Sequence, residues 1–544
     1  MNSEDQTTKD QTPPNKLIPE LRREDETRAA LRTGYPGLVD INRLPVHATT
    51  GHVDCVLTLD VGSSSARTLL FSLDGKQIEG FGSQIPYHAR TTPDGGWEID
   101  ATELAGIAAR AIGDICGQIR EKQHSQDFKP VAVAVDTFWH SILGVDADGN
   151  PSTALLHPFD TRSADAAKRL AQRVDNKAQH ARTGCVIHPS YPPAKLLWLS
   201  ETQPEAFQRT KRWMSAGEFL FLKFFGKAAA STSMVSATGL WDQNANDYDA
   251  EMLSALPVSR AQFAAPEDLD QPCNNANNGE WPELKNIPWF PALGDGACDN
   301  VGSGCTTQER FALMVGTSGA MRAVVEAGRI DIPGGLFCYR ADRKRFVLGG
   351  ALSNGGEVFA WMKRTLRLPD SNETIESELA ALQPVRHGLT ILPFFAGERS
   401  TGWRADARAA IIGAGANTSP IQILQAALES VALRFCNVYE IMKSSLGEPR
   451  DIVASGTALL RSRVWTQMMA DALAHPVVPC VEPEATSRGA ALLALERLGV
   501  IPDIHRMSPR YGDTVLANTG NSALYKDALG RQRQLYGKLF EENR

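Results

Sequence analysis

The sequence lacks the features that mark several large classes of protein. No run of 18 apolar residues occurs, so no transmembrane helix and no membrane partner are expected. The polar N-terminus has no apolar signal core. None of the nine cysteines, at 55, 116, 185, 273, 298, 305, 338, 436 and 480, forms a CxxC pair. Neither a zinc site nor a disulfide framework is therefore expected, and the scattered thiols fit a reducing, cytoplasmic setting. There is no face-long run of Lys and Arg, and the net charge is −7, which argues against a nucleic-acid partner. No GxxxxGK[ST] loop is present, so any phosphate site must be built differently from a P-loop.

What is present is an ordinary soluble composition, 42% apolar and 22% charged. At 544 residues the chain is too long for one core, so at least two domains are expected. Residues 1–52 are polar and charged and are expected to be an extension wrapping or trailing from the body. The body opens abruptly with the β-prone run Cys55–Asp60, broken at Gly62-Ser-Ser-Ser65. A second strand, Arg67–Ser72, follows, and Leu73-Asp-Gly-Lys76 predicts a hairpin turn. A helix is predicted over Ala101–Gln123, then a strand over Val131–Val135 that ends at Asp136. Later signals include a helix over about 357–366 and a long helix over 420–446. The long helix has Ser419 and Gln422 as a capping box, Pro420 in its first turn and Gly447 as its stop. Strand 451–454, Gly456, one helix to about 474 and a helix over 487–498 complete an α/β alternation.

The most informative feature is an internal repeat. Leu57-Thr-Leu-Asp-Val-Gly-Ser-Ser-Ser-Ala-Arg67 recurs 254 residues later as Phe311-Ala-Leu-Met-Val-Gly-Thr-Ser-Gly-Ala-Met321. Each copy is an apolar strand, then Val-Gly, then hydroxyl residues, then a second strand. One duplicated module per domain would set two such turns across a cleft, where small ligands usually bind. A tight turn of Gly and small hydroxyl residues exposes backbone N–H groups that can cradle phosphate oxygens. That makes Gly62, Ser63, Ser64, Ser65 and Arg67, and in the second copy Gly316, Thr317 and Ser318, candidate phosphate-binding residues. A single such turn would be an ordinary hairpin; two matching copies favour phosphate.

The copies differ where it matters: Asp60 ends the first strand and Met314 takes its place in the second. A carboxylate beside a phosphate site repels it unless a cation bridges them, so Asp60 is a candidate Mg²⁺ anchor, acting through water, with turn capping as the alternative. In Leu293-Gly-Asp-Gly-Ala-Cys-Asp299, Asp295 lies between two glycines whose bare backbone would let a ligand approach. Its place one helix and strand before the second turn suits a base between an acceptor hydroxyl and a γ-phosphate. Asp295 is also a further candidate for the metal, and Asp299 is either a second polar contact or a helix-surface residue. Gly456 and Thr457, opening a helix after a strand, are candidates for the nucleotide; a plain strand-to-helix turn is the alternative.

Taken in order, these segments resemble the FGGY carbohydrate kinases over roughly residues 53–500. The resemblance is carried by Leu59–Arg67, Gly294–Asn300, Val315–Gly319, Phe395–Trp403, Ala454–Ser462 and Glu482–Ala490. It implies two ribonuclease-H-like domains of the actin and hexokinase type, over 53–290 and 291–505, with a helical tail at 506–544. It also implies ATP with Mg²⁺ and Asp295 as general base. The implied acceptor is a small sugar, sugar acid or polyol. The wording of the catalytic segment is similar to that of gluconate kinases, with a xylulose or ribulose kinase as the alternative. The resemblance further implies substrate contacts at His140, Asp160 and Arg162. Set against these are a buried, satisfied histidine and a surface salt bridge, and Trp139 is bulky enough to narrow the sugar pocket. An actin-like ATPase and an inactive sugar sensor remain as readings of another class. A homodimer is compatible with the family.

Overall fold

A computed structural model describes residues 52–123, 126–267, 272–274 and 280–540. The extension expected over the first fifty residues lies outside them.

The first sheet is built from β1 (His52–Val61), β2 (Ser65–Ser72), β3 (Ser83–Pro86), β4 (Asp127–Thr137) and β5 (Leu293–Gly294), in the order β5-β4-β1-β2-β3. β1 and β2 are antiparallel, whereas β4 runs parallel to both β1 and β5. The run Cys55–Leu59 is buried throughout, because helices cover both faces of the sheet. Cys55, Leu57, Leu59, Val133 and Val135 pack with Leu104, Ala108 and Ile112 of helix α1 (Ala101–Lys122). Val56, Ala132 and Ala134 face the other way, toward a late helix of the chain. Asp100 caps α1 by accepting from the N–H groups of Thr102 and Glu103. The turn predicted after β2 forms, with Gly75 N–H donating to Ser72 O at 2.9 Å, but the paired return strand starts only at Ser83.

β5 leads directly into α2 (Asp295–Gly302). Asp295, expected beyond a domain division at 290/291, therefore stands at the end of a first-sheet strand.

The second sheet repeats the first. It contains β6 (Arg310–Val315), β7 (Gly319–Glu326), β8 (Phe337–Arg340), β9 (Arg345–Leu352), β10 (Asp451–Ser455) and β11 (Val477–Pro479), in the order β8-β9-β7-β6-β10-β11. Its main cover is α3 (Pro420–Leu446), whose capping box and N-terminal proline are as the sequence predicts. The single helix predicted after Gly456 is two, α4 (Thr457–Leu460) and α5 (Arg463–Leu473). The break falls where the Ser462 hydroxyl caps Trp465 N–H and starts a new helix.

α6 (Ala485–Arg497) belongs to the second half by sequence but packs on the first sheet and against α2. The two helices meet backbone to backbone. A methyl on Gly302 would lie 1.7 Å from Ala485 O, and one on Gly489 would lie 1.9 Å from Cys298 O. The last helix, α7 (Thr519–Phe540), docks on the second half through Tyr525, Ala528 and Leu529.

Candidate active site

The two repeated turns sit at corresponding points of the two sheets. In the first, Gly62 N–H donates to Ser65 O at 3.0 Å; in the second, Gly316 N–H donates to Ser318 O at 3.0 Å. The N–H groups of Ser63, Ser64, Thr317 and Ser318 meet no acceptor among the described residues. Ser63, Ser64 and Thr317 are exposed, so these donors are available to an anion. Arg67 at the start of β2 forms an ion pair with Glu484, just before α6, tying the first turn to the second half. Gly456 (φ +90°) lies against the second turn, since a methyl there would meet Val315 O at 2.4 Å. Thr457 beside it is exposed.

Register explains the charge at the first turn. Asp60 on β1 is the direct partner of Asp136 on β4, and Asp136 is in turn the partner of Leu293 on β5. Asp136 is fully buried, and neither of its carboxylate oxygens has a hydrogen-bond donor. Two facing carboxyls are stable only with a proton or a cation between them. Burial is the main cause that raises both, Asp60 to about 6 and Asp136 well above the ordinary carboxylate range; Asp295 adds repulsion to each. Asp136 was not among the residues singled out from sequence, although it ends an apolar strand as Asp60 does.

Asp295 begins α2, and its Oδ1 accepts Gly296 N–H at 2.7 Å. Burial raises its pKa against the lowering influence of Arg322. The glycines around it make room for a side chain. A methyl on Gly294 would fall 1.8 Å from Trp139 Nε1, and one on Gly296 would fall 2.5 Å from the Trp139 ring. The bare backbone makes room for an indole. Trp139 is buried and donates to Ser233 O at 3.0 Å. Asp299 is not a free surface group: it pairs with Arg322 at 3.2 Å, and Arg322 also donates to Gly296 O.

Around Trp139 stands an aromatic box. Tyr339 lies 5.0 Å from the Trp139 ring and 5.1 Å from that of His140, and Tyr191 lies 4.9 Å from His140. Trp403 is 6.0 Å from Tyr191 and 5.7 Å from His188. His140 has a left-handed backbone (φ 63°), and its Nδ1 meets Ala237 O at 2.6 Å. A carbonyl only accepts, so Nδ1 carries the proton and Nε2 is left as an acceptor. Burial pushes the His140 pKa down to about 3, keeping the ring neutral.

Asp160 and Arg162 form part of an ion cluster. Arg162 bridges Asp160 at 2.6 Å and Glu98 at 2.8 Å, and Asp160 also accepts Trp97 N–H at 2.9 Å. Lys195 and Arg399, by contrast, had no assigned role in the sequence reading. Lys195 is fully buried and donates to Pro189 O and Ser190 O, fixing the loop that carries His188.

Two matched sheets, a phosphate-competent turn on each and a half-buried carboxylate between turn and aromatic box define a two-domain phosphotransferase of the actin and hexokinase type. Comparison with known proteins narrows this class. The N-terminal domain of the FGGY family of carbohydrate kinases matches residues 55–302, and the C-terminal domain matches residues 311–496. The chain belongs to this family and is an ATP-dependent carbohydrate kinase. A gluconokinase of Bacillus subtilis is 26% identical over 473 residues, 84% of this chain and 90% of that protein. A xylulose kinase of Staphylococcus xylosus is 20% identical over 494 residues, 88% and 99% respectively. The crystal structure of gluconate kinase from Lactobacillus acidophilus shares the fold with a TM-score of 0.82 at 23% identity, covering 90% of this chain and 98% of that one. No helix among the described residues is long and apolar enough to cross a membrane.

Proposed function

We propose that the protein transfers the γ-phosphate of ATP to a hydroxyl of a small sugar acid, D-gluconate or a close relative, with Asp295 as general base. The observation that carries this reading is the position of Asp295. It lies next to Trp139 of the acceptor box on one side and within electrostatic reach of Asp60 and Asp136, beside the first phosphate turn, on the other. The Asp295 carboxylate takes the proton of the acceptor hydroxyl as that oxygen forms its bond to the γ-phosphorus. The bond from phosphorus to the β,γ-bridging oxygen breaks, and ADP leaves. The free N–H groups of the two turns hold phosphate oxygens, and Gly456 and Thr457 border the nucleotide.

The facing carboxyls of Asp60 and Asp136, with no donor between them, fit a divalent cation. Mg²⁺ would be held there largely through water, where it neutralises charge on the phosphate oxygens. No group of three or more ligating side chains occurs among the described residues, which suits an ion bound mainly by water and nucleotide. The nine free thiols suit a reducing compartment such as the cytoplasm. Support for a sugar-acid acceptor comes from the gluconokinase relative. The test is ADP release measured with D-gluconate, D-xylulose, D-ribulose, glycerol and erythritol. The reading predicts the highest kcat/KM for gluconate; turnover confined to glycerol would refute it.

A further inference from the structure

Of the rings that form the aromatic box, Trp139, His188, Tyr191 and Tyr339 are buried, and His140 and Trp403 keep part of their surface open. A molecule entering the box meets these two. They are also its two residues with left-handed backbones, φ 63° at His140 and φ 53° at Trp403. That conformation is costly for a bulky side chain and persists only where the surroundings impose it. His140 comes from the first half of the chain and Trp403 from the second, so the accessible part of the box is built by both.

The polar groups of Trp403 are spent on holding it in place. Its N–H donates to Arg399 O at 2.6 Å, and its Nε1 donates to Gly335 O at 3.0 Å. What it offers a ligand is therefore the face of an apolar ring, packed against the cluster that contains Trp139, Tyr191 and Tyr339. The loop that carries it folds around one carboxylate. Gly402 N–H donates to Glu398 Oε1 at 3.3 Å, and Glu398 N–H donates to Arg404 O at 2.8 Å. Glu398 is 2% exposed, pairs with the buried Arg434 of α3 and accepts the Tyr536 hydroxyl of α7 at 2.7 Å. Tyr536 also abuts the loop backbone, since a methyl on Gly402 would collide with its hydroxyl. The Arg434 guanidinium lies 5.2 Å from the Tyr536 ring and joins the same cluster. The last helix, beyond the matched residues 311–496, thus reaches the acceptor box through Glu398.

Building on the kinase reading, we propose that Trp403 contacts the acceptor, its ring packing on the carbon chain, and that Tyr536 and Glu398 are positioning residues that hold it there. A polyol chain presents C–H groups between its hydroxyls. A rigid aromatic face covers them at little cost in conformational entropy. His140 Nε2 supplies an acceptor for a hydroxyl from the first-half side.

The test measures kcat and the KM values for D-gluconate and ATP in wild type, Trp403→Ala, Tyr536→Phe and the double variant, with calorimetric binding of both ligands. Trp403→Ala is expected to raise the gluconate KM about thirtyfold, and Tyr536→Phe, which touches nothing in the box, about three- to tenfold. The ATP KM should stay within about twofold throughout. The double variant should resemble Trp403→Ala alone, because Tyr536 acts through Trp403. A mere loss of folded protein lowers kcat and leaves both KM values unchanged; that pattern in Tyr536→Phe would overturn its positioning role, as would effects that multiply in the double variant. An unchanged gluconate KM in Trp403→Ala, or an equal rise in the ATP KM, would overturn the proposal as a whole. The binding arm does not depend on turnover. Gluconate binding weakened by Trp403→Ala in a protein without kinase activity would support this inference while refuting the kinase reading. Turnover of gluconate with a KM indifferent to Trp403 would refute this inference alone.

Discussion

The two halves of the molecule carry the same strand–turn–strand device with opposite electrostatics. In the first, β1 and β4 align Asp60 with Asp136 at the mouth of the turn; in the second, β6 and β10 align Met314 with Ser455 at the matching position. Duplication supplies two backbone cradles, and substitution at one register position gives them different tasks. The acidic mouth suits a bridging cation and stands near the base. The neutral mouth suits direct contact with phosphate and lies beside Gly456 and Thr457.

Several changes would break or sharpen this contrast. The largest effect is expected from Asp295→Asn, which removes the proposed proton acceptor. Turnover should fall about 10³–10⁴-fold while nucleotide affinity stays near that of wild type, as read by ADP release and calorimetry. Met314→Asp would give the second turn the acidic mouth of the first without its partner. ATP affinity should then drop about ten- to hundredfold, and a variant that binds ATP as wild type would show that Met314 plays no part in the contrast. Gly489→Ala should separate α6 from α2, where a methyl cannot fit against Cys298 O. A loss of about 1–3 kcal/mol in denaturant unfolding is the expected result.

A smaller effect concerns the empty protein. Burial raises the Asp60 pKa from 3.8 to about 6, so the folded state favours the protonated acid. Stability from this group is complete below pH 3.8 and is lost as the pH rises through about 6. Asp60→Asn should therefore stabilise the nucleotide-free protein at pH 8 by about 1–2 kcal/mol, and the gain should vanish below pH 4. Parallel melting curves of the two proteins at both pH values check this.

Much of the fold could be read from local patterns. The long helix α3 declared both ends through Ser419, Pro420, Gln422 and Gly447, because caps are chemical signals within a few residues. The repeat exposed both turns and the odd placing of Asp60. What was not legible depends on contacts between distant segments. Asp136 gains its meaning only from parallel register with β1. Gly294 and Gly296 beside Asp295 answer to Trp139, 155 and 157 residues earlier. The aromatic box draws on segments near 139, 188, 339 and 403, and no local spacing links them. Asp160 and Arg162 are similar: their mutual pair is local, but the bridge to Glu98 joins distant segments.

The central claim is the division of labour between the two turns, and the Mg²⁺ dependence of ADP affinity tests it most directly. Calorimetry with and without Mg²⁺ on wild type and Asp60→Asn should show ADP binding tightened at least tenfold by Mg²⁺ in wild type only. Metal-free ADP affinity should be equal or higher in the variant, because an anion near the phosphates has been removed. Full Mg²⁺ dependence in Asp60→Asn, or loss of its metal-free ADP binding, would contradict the account.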